Sequence, residues 1–427
     1  MNANRTSDTR LTPLNVGTIP DAWDVLKIAH VASRVTNGYV GPVLEHQTLS
    51  ATDKVRYLQG FNIRPNRIEL KNESYVSAEF DRAHPKSRLE ENDILTVQSG
   101  HIGTTARVPK ELAGSNCHAL IITRLKPELI DSRYLTAYLN SHIGQARMRG
   151  LHVGSSIVHI NTSELAEFKV PVPPLPEQRK IADILTTWDE ALTQLDALIE
   201  AHERRKKALM QQLLTGKKRF PAFAKKPWEK VRMGEVLKRV FRPIDWSAEM
   251  SLSLVSLRRR CGGLFRRPDV LGADYKTQDL HVLHADDFLI SKRQVAHGAW
   301  GLVTPEFAGS HVSKEYAILV NAAPQKLHMP FFAWLSQTPR MIRLSRVAST
   351  GVHIEKLIFD PDVFLRDSIR LPNDREEQRQ IATILDTANQ QLSLLRTQRA
   401  ALDQQKRGLM QRLLTGKLRV KTTQTTT

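Results

Sequence analysis

Cysteine is nearly missing from this sequence, with only Cys117 and Cys261 among its 427 residues. Two thiols are too few for a disulfide framework or a cysteine-based zinc site, so we expect buried apolar residues or incidental thiols. Long apolar runs are missing as well. None approaches the roughly 18 residues that span a bilayer, and the polar segment 1–20 has no signal-peptide core. The sequence therefore predicts a cytoplasmic protein without a membrane partner.

Acidic residues are fewer than basic residues in this sequence. Lys and Arg number 62 against 44 Asp and Glu, which gives a formal net charge of +18 and an isoelectric point near 10.0. The excess of positive charge is distributed along the chain and is not confined to one tail. Such a balance is typical of nucleic-acid binders, although a membrane surface would also attract it. We interpret it as an extended surface that follows a long polyanion.

A long internal repeat organises the chain. Residues 177–220 align without gaps on residues 377–420, and 21 of the 44 aligned positions are identical. A weaker echo precedes each copy and begins at Trp23 and Trp228. The segments between these marks hardly resemble each other. We interpret the chain as two tandem copies of one unit, each with a variable head and a matched tail.

The repeat predicts the domain boundaries. They are a flexible N-terminal tail over 1–20, a first head over 21–176, a helical region over 177–226 with a long helix at about 177–214, a second head over 227–373, a helical region over 374–420 with a long helix at about 375–414, and a flexible tail over 421–427.

The matched tails predict long helices. Their apolar residues step alternately by four and three positions, as in a coiled-coil seam, and the alternative interpretation is ordinary core packing. Polar residues interrupt the seam at His202 and Lys206 in the first helix and at Arg399 and Lys406 in the second, and such positions set register at a cost in stability. We expect the helices to pair antiparallel as a rigid spacer and to dock a partner. The seam residues assigned to this role are Ile181, Leu185, Trp188, Leu192, Leu195, Leu209, Leu213, Ile381, Leu385, Leu392, Leu395, Leu409 and Leu413.

The heads mix short β-branched runs, glycine-bearing turns and a short helix each, which is typical of an α+β fold. A polar loop follows a shared Asp-apolar-Leu strand in each head. Its side chains are of the types that contact base edges or phosphates, and the alternative is a solvent loop held by its glycines. The candidate DNA-binding residues in these loops are Gln98, Ser99, His101 and Thr104 in the first head and Lys292, Arg293, Gln294, His297 and Trp300 in the second.

An arginine cluster in the second head is the densest positive patch in either head. It comprises Arg258, Arg259, Arg260, Arg266 and Arg267. Arginine suits phosphate and guanine recognition, so we treat the cluster as a candidate DNA contact that positions the duplex. A solvated or partner-facing patch is the open alternative.

No set of residues predicts an active site. Gly216 and Lys217 lack the earlier glycine of a phosphate-binding loop. The two acids and the lysine at Asp269, Asp274 and Lys276 lie too close together in sequence to sit on neighbouring strands, as a metal-dependent nuclease would require. We therefore expect a chain that is not an enzyme and holds no metal.

The EQRKIADIL and LLTGKKRF or LLTGKLRV signatures, with PVPPLPEQ before the first, resemble specificity subunits of type I restriction-modification systems over nearly the whole chain. The resemblance implies a pseudo-two-fold tandem repeat in which the heads are target-recognition domains, joined by two long antiparallel coiled-coil helices. It also implies an asymmetric bipartite target in double-stranded DNA, a role in phage defence, two methyltransferase subunits, and restriction and translocase subunits as partners. Cofactors, namely S-adenosylmethionine, ATP and Mg, would belong to those partners and not to this chain.

Two alternatives to this interpretation remain. One is a coiled-coil scaffold that binds DNA without sequence specificity, which the divergence of the two heads disfavours. The other is a self-sufficient DNA-modifying enzyme, which the missing motifs disfavour. In the second repeat LPNDREEQ replaces the proline-rich entry to the helix, and this departure leaves the docking of that helix open.

Overall fold

The computed structural model describes residues 9–11, 18–42, 53–150 and 159–421. The chain divides into two compact units: unit 1 is Met1–Asp196 with Gln398–Thr427, and unit 2 is Ala197–Thr397. Both divisions fall inside a long helix, whereas the domain boundaries predicted from the sequence, at 176/177, 226/227 and 373/374, lie close to the start of a long helix or beyond the end of the first one. Each unit therefore combines one head with the first part of its own long helix and the last part of the other.

The elements of unit 1 come first along the chain. Its strands are β1 (Thr9–Leu11), β2 (Thr18–Pro20), β3 (Asp24–Lys27), β4 (Ala32–Asn37), β5 (Lys54–Leu58), β6 (Ile63–Arg64), β7 (Arg67–Ile68), β8 (Ser74–Ser77), β9 (Ile94–Val97), β10 (Thr105–Arg107), β11 (Asn116–Cys117), β12 (Leu120–Leu125) and β13 (Lys169–Val172). Its helices are α1 (Ile28–Val31), α2 (Ala78–Ala83), α3 (Ser132–Asn140), α4 (His142–Gly150) and α5 (Thr162–Glu167), and the first long helix is α6 (Leu175–Leu213).

The second head repeats this mixture of elements. Its strands are β14 (Trp228–Arg232), β15 (Leu237–Val240), β16 (Ser251–Leu252), β17 (Val255–Leu257), β18 (Leu264–Arg266), β19 (Val270–Leu271), β20 (Leu280–Val282), β21 (Phe288–Ser291), β22 (Trp300–Leu302), β23 (His311–Ser313), β24 (Tyr316–Asn321), β25 (Ser349–Thr350), β26 (Ile358–Phe359) and β27 (Ser368–Pro372). Its helices are α7 (Met233–Val236), α8 (Met329–Ser336), α9 (Pro339–Val347) and α10 (Pro361–Arg366), and the second long helix is α11 (Arg375–Leu413).

Both heads are built on the same antiparallel sheet. Its order is β10-β9-β12-β4 in unit 1 and β22-β21-β24-β15 in unit 2. A second pairing recurs as well, β13 with β3 and β27 with β14, and it ties the strand that enters each head to the strand that leaves it. The α+β class and the shared fold of the two heads, both predicted from the sequence, are confirmed.

The central strands of these sheets are covered on both faces. In β9 every residue is buried, with Ile94 in the core beside α3 and Leu95 in a separate apolar cluster on the opposite face. In β21, Phe288 and Leu289 divide between two clusters in the same way. Because side chains alternate across a strand, a short run of consecutive apolar residues marks a strand buried on both sides.

The long helices begin and end near the predicted residues. Helix α6 begins at Leu175 rather than 177, since Pro176 fits the first turn, where its missing N–H has no intrahelical partner. Helix α11 begins after Asp374, whose carboxylate accepts from the Glu376 N–H at 2.8 Å. Both helices stop before a glycine with a left-handed backbone, Gly216 at φ 71° and Gly416 at φ 70°. A side chain at Gly416 would also collide with Pro20, at 2.3 Å.

The helices pair antiparallel within each unit, as the heptads predict. In unit 1, Asp189 lies 2.5 Å from Lys406 and Asp196 lies 2.9 Å from Arg399. Residue numbers therefore increase along one helix in the direction in which they decrease along the other. In unit 2 the equivalent lysine, Lys206, donates to the amide oxygen of Asn389 at 2.7 Å. The seam residues at the helix ends, such as Ile181 and Leu413, are buried within the cores of the heads.

The two repeats differ in how they neutralise the seam lysine. Lys206 contacts an amide where Lys406 contacts a carboxylate, and burial, with a smaller contribution from Arg396, lowers the pKa of Lys206.

We predict that Asn389→Asp stabilises unit 2 by up to about 1 kcal/mol, because it supplies the missing counter-charge. Hydrogen exchange of the amides of residues 198–210 would measure the gain.

The dependence of this gain on pH has a defined sign. A depressed lysine pKa penalises folding at neutral pH, and the penalty falls as the pH rises towards the usual lysine value. The advantage of Asn389→Asp should therefore shrink at alkaline pH. Asp189→Asn is the matched control in unit 1 and should destabilise by roughly 1–3 kcal/mol, since Lys406 is nearly buried. Equal protection in wild type and Asn389→Asp would contradict the prediction.

The beginning of the chain is more ordered than predicted. Strands β1 and β2 pair antiparallel, and Ile19 is buried, so the predicted flexible tail over 1–20 is wrong at 9–11 and 18–20. The rest of that tail and residues 422–427 lie outside the described residues. In the part of the chain that is described, no helix is long and apolar enough to cross a membrane.

The repeated Glu-Gln pair joins each head to its long helix. Gln178 is fully buried; its Nε2 donates to the carbonyls of Pro173 at 2.7 Å and Leu129 at 3.0 Å, and its Oε1 accepts from the Asp131 N–H at 2.8 Å. Gln378 makes the same set of bonds in unit 2. A buried amide with all of these groups satisfied fixes the direction in which each helix leaves its head.

The end of the other long helix completes this junction. The carboxylate of Glu177 accepts two hydrogen bonds from Arg419, at 2.6 and 2.8 Å, and one from the Trp23 indole at 3.1 Å. In unit 2, Arg219 binds Glu377 in the same bidentate way. Both glutamates are buried. In each unit the arginine of a TGK-x-R segment, at the end of one long helix, thus binds the glutamate at the start of the other long helix. We call this pair of equivalent contacts the reciprocal lock.

Candidate nucleic-acid interface

In the second head, the arginine cluster and the polar loop lie together. The loop 258–263 joins β17 to β18, and the loop 292–299 joins β21 to β22. Their backbones bond directly, Arg260 N–H to the His297 carbonyl at 2.7 Å and Cys261 N–H to the Gly298 carbonyl at 2.8 Å. To form these bonds, Arg260 and Cys261 adopt left-handed backbone conformations with φ angles of 59° and 56°. The structure thus brings together two candidate sites whose hydrogen-bonded residues Arg260 and His297 are 37 positions apart in sequence.

A third loop, 351–357, reaches the same place. Its Glu355 carboxylate lies 2.9 Å from Arg259 Nη2 and 3.1 Å from His297 Nε2. Arg259 Nε also donates to the Gln294 amide oxygen at 2.7 Å. About half of the Arg259 and Glu355 side chains remains exposed, so this network of four polar groups faces solvent on one side. We call these residues, Arg259, Gln294, His297 and Glu355, the loop network.

The other predicted arginines and lysines of this head differ in what they contact. Arg258 donates to the Leu264 carbonyl at 3.1 Å and lies over the Phe265 ring, while Arg266 donates to Ser253 at 2.8 Å. Lys292 donates to the Lys314 carbonyl at 2.6 Å, and burial lowers the pKa of its ammonium group. These contacts hold the guanidinium and ammonium groups in defined directions, which reduces the entropy lost when an anion binds.

A cleft of about 280 Å³ adjoins the loop network. Arg267 and Arg293 line it together with His311 and Tyr275. Glu315 partly neutralises Arg293, at 2.5 Å. Burial lowers the pKa of His311, so this ring tends to remain neutral, and its Nδ1 has no hydrogen-bond partner among the described residues. The cleft therefore combines cationic and neutral polar groups of the kinds that contact nucleic acid.

Trp300 was a candidate for DNA contact, and this prediction is wrong. Its side chain is 1% exposed and packs against Phe288 and Phe364 in the core. Trp300 begins β22 opposite Ile290, so the strand turns the indole inwards where a loop would have left it outside.

The loop after β9 in the first head is only partly available for contact. Ser99 and His101 are exposed and Thr104 is half-buried. Gln98 is 4% exposed, and its amide N–H₂ donates to Asn37 on β4, so the predicted surface role of Gln98 is also wrong. The amide instead joins the loop to β4, the edge strand that lies beyond β12 in the sheet.

Comparison with known proteins bears on this surface. The family described as the type I restriction modification DNA specificity domain matches residues 63–203. A putative type I restriction enzyme specificity subunit from Methanocaldococcus jannaschii, MjaX, is 26% identical to this chain over 95% of it and 96% of the relative. The MjaVIII specificity subunit of the same organism is 22% identical, over 78% of this chain and 80% of the relative. The chain is thus similar to type I specificity subunits over nearly its whole length, and it matches the family model of their DNA specificity domain over residues 63–203.

Solved structures of similar fold agree with the architecture. The S subunit of a type I restriction-modification system from M. genitalium superposes with a TM-score of 0.59, at 15% identity, over 97% of this chain and 98% of that one. A chain from a structural study of complex assembly in a type I system superposes with a TM-score of 0.56, at 18% identity, over 94% and 99%. At these identities the likeness concerns the fold alone.

Several residues of these sites and junctions were not found from the sequence. Glu355 and Asn37 are isolated polar residues in segments without a motif, and no sequence signal marks them. Glu177, Gln178 and Arg419 did carry a signal, because they are identical to the residues 200 positions away. The identity at these positions indicated a shared role, but it did not indicate which of the residues contact each other.

Proposed function

We propose that this specificity subunit directs a type I restriction-modification complex to a bipartite, asymmetric DNA target. Each head reads one half-site. The chain also docks two methyltransferase subunits and, through the assembly, the restriction and translocase subunits. It is not itself an enzyme. S-adenosylmethionine, ATP and Mg bind to the partners, and double-stranded DNA binds to the heads.

One observation carries this proposal: two heads with the same sheet order present different loops at the same place. The loop after β9 offers Ser99 and His101, whereas the equivalent loop after β21 offers Arg293 and Gln294 beside an arginine cluster. A common frame with unlike side chains suits two half-sites of unlike sequence, because base edges are distinguished by the donors and acceptors that meet them.

The charge and the repeat support the two kinds of partner. The net charge of +18 favours contact with phosphates, which supplies affinity that depends on salt. The reciprocal lock occurs once in each unit, with Glu177 and Arg419 in the first and Glu377 and Arg219 in the second. Together with the matched sequences of residues 177–220 and 377–420, this gives each unit similar helical segments, which suits two copies of one methyltransferase subunit.

The test is a map of modified bases in a genome with and without this gene, in cells that carry the methyltransferase partner. We expect a bipartite motif that disappears when the gene is deleted. Exchanging the second head for that of another family member should change one half-site and leave the other unchanged. Modification by the purified chain alone would support the enzyme interpretation instead, and a motif that is indifferent to the exchanged head would support a scaffold without specificity.

A further inference from the structure

The loop network presents hydrogen-bond donors to solvent. A guanidinium group has donors only, so the atom of Gln294 that meets Arg259 Nε at 2.7 Å must be its carbonyl oxygen. The Gln294 amide N–H₂ then has no acceptor among the described residues and can donate to a ligand. Arg259 keeps the N–H groups of Nη1 and one of Nη2. On this exposed side, the network therefore offers two adjacent donor groups from Arg259 and Gln294.

Each side-chain oxygen of the network lies within 3.1 Å of a nitrogen atom of the network. One oxygen of Glu355 accepts from Arg259 at 2.9 Å, and the other lies 3.1 Å from His297 Nε2. The oxygen of Gln294 is occupied by Arg259. The unused donors of the network are those of Arg259 and Gln294, so a ligand that presents two neighbouring acceptors would match them.

One base presents a major-groove edge that best matches these donors. Guanine presents two neighbouring acceptors there, N7 and O6, while adenine pairs an acceptor with a donor and cytosine presents a donor. Thymine presents a single acceptor beside a methyl group. Arginine bound to N7 and O6 of guanine is the commonest specific contact between proteins and DNA.

We infer that the second head reads a guanine through Arg259, and that Glu355 is the positioning residue that holds the Arg259 guanidinium for this contact. The inference rests on the proposed function. Glu355 lies 96 residues from Arg259 in sequence and belongs to a different loop. Its carboxylate joins loop 351–357 to the loops that carry Arg259 and His297, so it limits the rotamers that a long, half-exposed arginine would otherwise sample.

The geometry separates this role from simple phosphate binding. Nε and Nη2 of Arg259 are engaged by Gln294 and Glu355 on neighbouring sides of the planar guanidinium group, so its remaining N–H groups point in a fixed direction. A phosphate contact does not require this precision, because phosphate oxygens accept from many directions. A contact with a base edge does, since both hydrogen bonds must form at once.

The experiment uses the complex of this chain with its methyltransferase partner, acting on a library of DNA with randomised half-sites. In the wild type we expect a G·C pair in the half-site of the second head. Arg259→Lys and Glu355→Ala should each relax that one position by roughly 10- to 100-fold. The other positions of this half-site and the whole of the first half-site should keep their preferences. Glu355→Gln should give a smaller relaxation, because its amide still accepts from Arg259 on one side.

The matched control is Asp279→Asn. Asp279 forms an exposed ion pair with Lys314 at 2.7 Å in the same unit, outside the loop network, so its loss should leave every base preference unchanged. Uniformly weaker modification of all sequences by Arg259→Lys would indicate a phosphate contact and overturn the inference. So would an unaltered motif in both variants while the wild type still modifies a bipartite target, an outcome that leaves the proposed function intact. A wild-type complex without any sequence preference would overturn both.

Discussion

Arg419→Ala is expected to destabilise unit 1 by up to about 3 kcal/mol. The Glu177 carboxylate is 4% exposed and loses its bidentate partner in this variant, which leaves a buried charge with one indole N–H. Arg419 is itself 43% exposed, so water can reach the site and the loss should stay below that of a fully buried pair. Hydrogen exchange in β3 and β13 would measure the effect.

The double variant separates lost charge pairing from lost packing. Arg419→Ala combined with Glu177→Gln should recover part of the stability, because a neutral amide is cheaper to bury than an unpaired carboxylate. Exposed Lys417 provides the control, and Lys417→Ala should change exchange in β3 very little. If Arg419→Ala and Lys417→Ala behave alike, the lock does not hold unit 1 together.

A fragment of residues 1–226 is expected to form a homodimer and, with the methyltransferase partner, to modify a palindrome in place of an asymmetric target. Alone it lacks residues 398–427, which complete unit 1. Its own residues 198–220 match that missing segment, with Leu213 in place of Leu413 and Arg219 in place of Arg419. Two copies can therefore complete each other, each supplying the helix end that the other needs.

The dimer can be measured by analytical ultracentrifugation, and the target by mapping modified bases. Arg219→Ala in the fragment should prevent dimerisation, since Arg219 would there bind Glu177 of the other copy. In the whole chain the same variant should instead weaken unit 2, where Arg219 binds Glu377. A stable folded monomer, or an asymmetric motif, would count against this prediction. The change of target rests on the proposed function, whereas the dimer rests only on the composition of unit 1.

Local patterns in the sequence were sufficient for the main elements. The heptad spacing predicted the first residue of each long helix to within two positions and the last residue to within one. It could do so because the buried face of an amphipathic helix carries an apolar residue at every third or fourth position. The start of the chain was predicted less well. Residues 18–20 form a strand through pairing with 9–11 and through the burial of Ile19, and neither contact has a periodic signature.

The candidate DNA-contacting residues were identified in part. The chemistry of Arg259, Gln294 and His297 was legible in the sequence, because donors and acceptors are properties of residue types. The direction of a side chain was not. Trp300 stands in a polar, glycine-bearing segment but begins a strand, and the pleat turns its indole into the core.

The amino-acid sequence by itself determined that this protein is a tandem repeat with a strong positive charge, two unlike heads and two matched helices. Periodicity, composition and identity at an offset of 200 are carried by residues near one another or by direct comparison of two segments. The tertiary structure alone decided which of these residues meet: Glu177 with Arg419, 242 positions away, and Glu355 with Arg259. Such contacts depend on how the sheets and helices pack, and a buried charge finds its partner only after that packing has brought distant segments together.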